Sequence, residues 1–356
     1  MTSRMSAVRR TPLQALRAAA APLAKTALLR TGGYAAIRRL FPSGSLAILR
    51  YHAICGPEGY RYADPAICIS PDSFEQHVAY LTREYTVLPL DDAARRIAAR
   101  QPLPRNAVVI TFDDGYADNL AAARTLHTYG ATATFYMTAG CLAGGQPFWP
   151  AELRHLLNSI TAPRITVHSG PVSLDLDVTD AVARAAAVKR LTKTFKSHPI
   201  AVREELRQQL RELAQASEMH RVMLTWDEVR EMRALGMTIG SHTMTHPNLP
   251  SAGVSAATQE ITDSKARLER ELDERVTMFS YPNGGAERYC TPELQRVVAE
   301  AGFAAAVTSR NAFAGATSNV YSLERIEVEE RLEDLVFALE LERFILQPAP
   351  RQGEMP

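Results

Sequence analysis

Ala107-Val108-Val109-Ile110-Thr111-Phe112-Asp113-Asp114-Gly115-Tyr116 is an apolar run that gives way at once to two carboxylates and a glycine. The run from Ala107 to Phe112 is β-favouring and too short for a core helix, so it reads as a buried strand. Asp113 and Asp114 stand where that strand ends. Neighbours on an ideal strand point to opposite faces, so both aspartates reach one site only if the chain turns immediately, and Gly115 permits that turn.

The same grammar recurs on either side. Leu46 to Leu49, Thr86 to Leu88, Ala133 to Met137, Met237 to Ser241, Thr277 to Ser280, Phe303 to Thr308 and Leu323 to Val328 also read as strands. Ser73 to Tyr85, Asp91 to Arg100, Asn119 to Gly130, Thr225 to Leu235, Ala256 to Leu272 and Pro292 to Gly302 carry helical periodicity, with Ser73 and Asp118 as start signals and Gly130, Gly236 and Gly302 as stops. Strand and helix alternate, which implies an α/β fold with parallel strands. Between Ala151 and Met223 the alternation lapses into a small hairpin around Ser169-Gly170-Pro171 and charged helices broken at Pro199, an α-rich insertion at about 151–222 without catalytic candidates of its own. The expected organisation is a basic helical segment over 1–44, a barrel over 45–346 carrying that insertion, and a disordered Pro-rich tail over 347–356.

The polar motifs share one position in this pattern. His52 follows the first strand, Asp113 and Asp114 the third, His242 the run Met237 to Ser241, and Pro282-Asn283-Gly284 the run Thr277 to Ser280. Independent surface loops would not show that bias. Parallel α/β barrels gather their chemistry at the C-terminal rim, so these motifs meet there. His242 and His246, in Ser241-His242-Thr243-Met244-Thr245-His246, join one carboxylate of the acidic pair as an N, N, O set that leaves positions open for water and substrate. The other carboxylate can then hold and deprotonate a water whose pKa the metal lowers from ~16 toward ~7. Taken singly, Asp-Asp-Gly is most often a turn and His-x-x-x-His is often structural; together, each at a strand end, they point to a metal-dependent hydrolase.

Composition narrows the partners. Lys and Arg number 40 against 39 Asp and Glu, a net charge of +1 without a basic stripe through the body, which excludes nucleic acid and favours a neutral substrate. Four cysteines without C-x-x-C spacing fit reduced thiols and a cytoplasmic location. Residues 1–50 hold nine Lys or Arg and no acid, so the N-terminal segment reads either as a basic helix in peripheral contact with an anionic membrane or as a solvated helix packed on the barrel. Its uncharged runs are too short and too weakly apolar for a cleaved leader or a spanning helix.

With these motifs in place, the chain resembles the polysaccharide deacetylases of NodB-homology type, carbohydrate esterase family 4. Thr111 to Tyr116 matches the first family motif and Ser241 to His246 the second, and the likeness spans roughly Ser45 to Glu329. It implies a distorted (β/α) barrel with fewer than eight regular strands, Asp113 as general base, and Asp114, His242 and His246 as ligands of Zn2+, with Co2+, Mn2+ or Ni2+ as substitutes. It also implies the Asn283 backbone N–H as an oxyanion donor. The implied reaction is removal of N-acetyl groups from an amino-sugar polysaccharide, oligosaccharide or glycolipid precursor. A deformylase, an O-deacetylase and an inactive carbohydrate-binding barrel are the alternatives.

The chain departs from the family at two places. The third motif, usually Arg-x-Pro-Tyr-Gly, reads Ser280-Tyr281-Pro282-Asn283-Gly284, so its arginine is missing; Arg325, on the last strand, is the candidate replacement unless it pairs with Glu324 or Glu327 at the surface. The family's Leu-x-x-His general acid is missing too, because no histidine follows His246. His52 is the candidate in its place, against a plain hydrogen-bonded histidine or an extra metal ligand. Tyr281, Pro282 and Trp226, with Trp149 and Phe148, are candidates for an aromatic floor or rim under a sugar ring, against the plainer reading of core and turn.

Overall fold

The computed structural model describes residues 22–142, 144–215, 219–283 and 289–346. Seven strands, β1 (Leu46–Tyr51), β2 (Ala107–Phe112), β3 (Thr134–Met137), β4 (Thr238–Ser241), β5 (Met278–Ser280), β6 (Ala305–Asn311) and β7 (Leu323–Glu327), pair in sequence order, all parallel. β7 pairs back onto β1 through Leu49↔Ile326 and Arg50↔Glu327, so the sheet closes into a barrel. The run at Thr86 forms a two-residue strand beside the start of β2, outside the ring.

Period-two alternation sorts each strand's side chains. Leu46 and Ile48 on β1, Ala107 and Val109 on β2, Met278 on β5 and Leu323 on β7 fill the barrel interior, and helix Leu90–Ala98 closes that end with Leu90, Ala93, Ala94 and Ile97. Ala47, Leu49, Val108, Ile110 and Phe112 face outward into helices Pro71–Glu84 and Asn119–Thr128, in a cluster that continues round to helices Trp226–Ala234, Val254–Leu272 and Pro292–Glu300. Both faces of β2 are therefore buried, which is why it shows no polar alternation. The same parity carries Thr111, Asp113, Ser280 and Arg325 inward at the opposite, C-terminal mouth.

Local signals fell partly elsewhere than the sequence suggests. Ser70, not Ser73, caps helix Pro71–Glu84, its hydroxyl accepting the Ser73 N–H, with Pro71 opening the first turn. Asp118 does stand at the N-cap of helix Asn119–Thr128, but its side chain makes no capping bond; its carboxylate accepts the Ile54 N–H and the Tyr62 hydroxyl and pins the segment after β1. Cys55 and Cys68, 13 residues apart in sequence, have Sγ atoms 3.3 Å apart.

Between β3 and β4 the chain builds a second body. Helix Trp149–Ser159, the hairpin Arg164–Ser169 and Val172–Asp177, and helices Ala181–Ser197 and Ile200–Ala214 enclose their own apolar cluster, including Leu153, Leu157, Val167, Leu191, Phe195 and Leu206. At the other end of the chain, helices over 22–30 and at Gly33–Leu40 lie against helices Pro71–Glu84 and Leu332–Glu340, the last of these unmarked in the sequence reading. Two of their cations are committed to barrel carboxylates, Lys25 to Asp334 at 2.7 Å and Arg38 to Glu340 at 2.9 Å. Residues 1–21, the tail 347–356 and Gly284 lie outside the described residues, and no described helix is long and apolar enough to cross a membrane.

Candidate active site

At the end of β2 the Asp113 N–H donates to the Tyr51 carbonyl on β1, holding Asp113 in the ladder with its side chain inward. The turn begins one residue earlier than Gly115: Asp114 itself adopts left-handed backbone (φ 77°), followed by Gly115 (φ 88°). That reversal is what brings both carboxylates to one cleft. A Cβ at Gly115 would stand 2.9 Å from the Met137 sulfur, so the position is tied to glycine by space as well as by φ.

Asp114, His242 and His246 converge. Their candidate ligand atoms all lie within 4.8 Å of one another, with Asp114 Oδ1 3.5 Å from His242 Nε2 and 3.4 Å from His246 Nε2. These contacts are not ion pairs. Burial lowers the pKa of both imidazoles, and burial together with the Asp113 charge lifts the Asp114 carboxyl to about 8, so the cluster lacks a counter-charge of its own. Asp114 Oδ1 and His246 Nδ1 are buried without a hydrogen-bond partner among the described residues. His242 is the better anchored ligand: its Nδ1 lies 2.8 Å from the Ser280 carbonyl, which selects the Nδ1–H tautomer and turns Nε2 to the cluster. A buried N, N, O set with an orphaned carboxylate oxygen fits a divalent cation with open positions.

Asp113 has the opposite electrostatics. Arg325 grips it with two parallel bonds, Nη1 to Oδ1 at 2.8 Å and Nη2 to Oδ2 at 2.6 Å, while Ser280 Oγ donates to Oδ1 at 3.2 Å. Arg325 is itself fixed by Nε to the Thr308 carbonyl (2.7 Å) and Nη1 to Thr111 Oγ1 (3.2 Å). Burial, the largest single influence, pushes the Asp113 carboxyl up, but the charge and hydrogen bonds of Arg325, with His242 and His52 adding to them, together hold the group well below the usual carboxylate range. Arg325 makes no surface pair: Glu324 faces Arg310 and Glu327 faces Arg50. An arginine five strands on from Asp113 in sequence is thus its paired cation.

The other candidates divide. His52 lines the cleft with Nε2 3.8 Å from Asp113 Oδ2, and burial drives its pKa down to about 3, against a smaller upward pull from Asp113. Asn283 lines the cleft in left-handed conformation (φ 71°), its Nδ2 donating to the Pro247 carbonyl and its own carbonyl accepting from Ser309 Oγ. Tyr281, Pro282 and Trp226 do not line it. Tyr281 follows inward-facing Ser280, so its ring turns outward onto Phe279 and its hydroxyl donates to the Tyr321 carbonyl. Pro282 is buried beside it, and Trp226 packs on the outer core under the Arg267 guanidinium, 5.4 Å away. Phe148 is buried edge-on to His246.

The cleft holds about 470 Å³ and its walls come from three places. The segment after β1 contributes Tyr62, Asp64 and Ile67, the barrel rim contributes Arg50, Ser309 and Glu327, and the insertion contributes Trp149, Arg154, Val188, Thr192 and Lys196. Arg154 reaches across to Asp64 at 2.5 Å. The insertion is therefore a wall of the site, although its sequence offers no catalytic candidate. Inward parity with Val109 and Met278 was the available signal for Thr111 and Ser280; the insertion's part is tertiary and has no local signature.

Residues 100–306 match the sequence profile of a family described as polysaccharide deacetylase. YxkH, a candidate polysaccharide deacetylase of Bacillus subtilis strain 168, is 22% identical over 299 residues, covering 83% of this chain and 76% of that protein. The Streptococcus pyogenes deacetylase PplD, solved in complex with acetate, superposes with a TM-score of 0.55 at 21% identity, covering 87% of this chain and all of that one. IcaB from Ammonifex degensii gives a TM-score of 0.53 at 18% identity, covering 84% and 97%. Both solved structures share the barrel fold.

Proposed function

This chain belongs to the polysaccharide deacetylase family, and we propose that it is a metal-dependent N-deacetylase that hydrolyses the acetamide of an amino sugar in a polysaccharide, oligosaccharide or glycolipid precursor. One observation carries the reading: a buried Asp114, His242 and His246 cluster lacking counter-charge lies beside an Asp113 that Arg325 keeps ionised. A structural metal would need no such base.

Asp114 Oδ1, His242 Nε2 and His246 Nε2 would hold the cation, Zn2+ being the best match to mixed nitrogen and oxygen ligands. When bound, it supplies Lewis acidity toward the amide oxygen and acidifies water. The rest falls to the protein. Asp113, anionic and fixed in direction by two guanidinium bonds, takes the proton of the attacking water. The Asn283 backbone N–H, at the cleft wall, is the oxyanion donor. An amide nitrogen leaves poorly unless protonated, and in this reading His52, on the cleft with Nε2 3.8 Å from Asp113 Oδ2, passes it a proton. Because burial keeps His52 neutral, the proton it passes on is the one Asp113 takes from the attacking water, which returns Asp113 to its anionic form for the next turnover.

The test is product analysis. Incubation with free, polymeric and lipid-linked N-acetylhexosamines should liberate acetate and a free amine, seen by mass spectrometry, and chelation should stop it. Release of formate, or acetate only from O-esters, would move the assignment to the deformylase or O-deacetylase reading.

A further inference from the structure

His242 and His246 stand on a loop, 241–248, that is neither helix nor strand beyond Ser241. Thr243 (φ 69°) and His246 (φ 55°) both take left-handed backbone, which residues with a side chain keep only where their surroundings hold them. Two bodies do the holding. On the barrel side, Glu260 of helix Val254–Leu272 accepts the N–H groups of Met244 (2.9 Å) and Thr245 (2.8 Å) and the Thr245 hydroxyl (2.6 Å).

On the other side stands the insertion. Arg203, buried in helix Ile200–Ala214, donates to the Thr245 carbonyl (3.1 Å) and to Thr245 Oγ1 (2.9 Å). Trp149, at the start of helix Trp149–Ser159, donates its indole N–H to the His246 carbonyl at 3.0 Å. The Lys196 carbonyl, near the end of helix Ala181–Ser197, accepts from Asn248 Nδ2 and Ser251 Oγ, both at 2.9 Å. The carbonyls on both sides of the His246 Cα are thus fixed by insertion donors. Fixing two consecutive peptide planes fixes the direction of the Cα–Cβ bond between them, and with it the point from which the imidazole reaches the cluster.

The three candidate ligands therefore have different supports. Asp114 is set by the end of β2, and His242 by β4 and the Ser280 carbonyl. His246 continues no strand, and its Nδ1 has no hydrogen-bond partner among the described residues to orient the ring. We propose that Trp149 and Arg203 are positioning residues of the metal centre, so that the insertion sets the third ligand while also walling the substrate cleft. This rests on the metal-site reading above. Removing partners that orient a ligand typically weakens metal binding 10- to 100-fold.

The experiment uses full-length Trp149→Phe, Arg203→Met and Arg203→Lys beside Asp114→Asn. Zn2+ affinity is measured by competition with a chromogenic chelator, the Co2+ form by its d–d absorption, and the metal-free protein by its Tm. Trp149→Phe and Arg203→Met should weaken Zn2+ roughly 10- to 100-fold and change the Co2+ spectrum, with Arg203→Lys recovering part of the loss. Trp149→Phe keeps an aromatic ring in place, so its metal-free Tm should stay close to the parent's, and it decides the matter if Arg203→Met fails to fold. Parent-like Zn2+ affinity in Trp149→Phe and folded Arg203→Met, with Asp114→Asn unable to bind, would overturn the positioning role alone. Zn2+ held equally by the parent and Asp114→Asn, or by neither, would overturn the metal-site reading and this proposal with it.

Discussion

Replacing Arg325 with Met removes both bonds to Asp113 and leaves its carboxylate buried with the Ser280 hydroxyl as its remaining close donor. Breaking a buried pair in this way costs about 3–5 kcal/mol while the other charge persists. At 1.36 kcal/mol per tenfold, that is enough to move the acid limb of the rate profile upward by about two to four pH units. The sign follows from burial, the largest influence on Asp113: no longer opposed by the guanidinium, it carries the native carboxyl from below the usual range to above it. In the parent, Asp113 stabilises fully above about pH 4 and loses that contribution only as the pH falls toward its lower native pKa. In Arg325→Met the native carboxyl titrates above its unfolded value, so stability falls as the pH rises through that pKa and recovers as it falls. Acetate release from pH 4 to 10, with thermal melts across the same range, should show the displaced limb, a rate at pH 7 lower by roughly 10²- to 10⁴-fold, and a Tm lower at neutral pH by on the order of 10 °C. Arg325→Lys, lacking the fork, should fall between. An unchanged acid limb in a folded Arg325→Met protein would refute the argument.

His52→Ala should keep its zinc and lose rate on amides, but lose much less on an activated aryl ester whose leaving group needs no proton; equal loss on both, or loss of zinc, would remove His52 as the acid. Cys55 and Cys68, with thiol sulfurs 3.3 Å apart, should form an intramolecular disulfide when treated with a small-molecule disulfide oxidant, seen by peptide mapping and abolished in Cys55→Ser; two free thiols after treatment would count against that proximity. Arg38→Met should destabilise in denaturant unfolding by less than the roughly 3–5 kcal/mol of a wholly unpaired buried charge, because the fully buried Glu340 keeps the Tyr85 hydroxyl and Arg343 at 3.5 Å, and should leave kcat unchanged.

The barrel was legible because each strand is a short apolar run, and the site because its polar motifs follow those runs. Asp113, Asp114, His242 and His246 could be read together for that reason. Arg325 could be nominated but not oriented, since its approach to Asp113 depends on β7 closing beside β1, a contact between the two ends of the barrel. Tyr281 and Trp226 were misplaced as sugar contacts because an aromatic residue near a strand end gives no sign of which way it faces. Counting from inward Ser280 would have turned Tyr281 outward. Trp149 could be nominated as a rim aromatic and does line the cleft, but its bond to the His246 carbonyl, like the parts of Arg203 and Lys196, could not be read, because an insertion's docking direction depends on a surface formed only in the folded chain.

The most direct test compares Asp113→Asn with Asp114→Asn in one preparation, measuring bound zinc and acetate release from an N-acetylated oligosaccharide on the same samples. Asp113→Asn should carry parent levels of zinc and release acetate roughly 10²- to 10⁴-fold more slowly, while Asp114→Asn should lose zinc and activity together. Zinc lost from Asp113→Asn and kept by Asp114→Asn would reverse the two roles, and full acetate release from a metal-free parent would contradict the account outright.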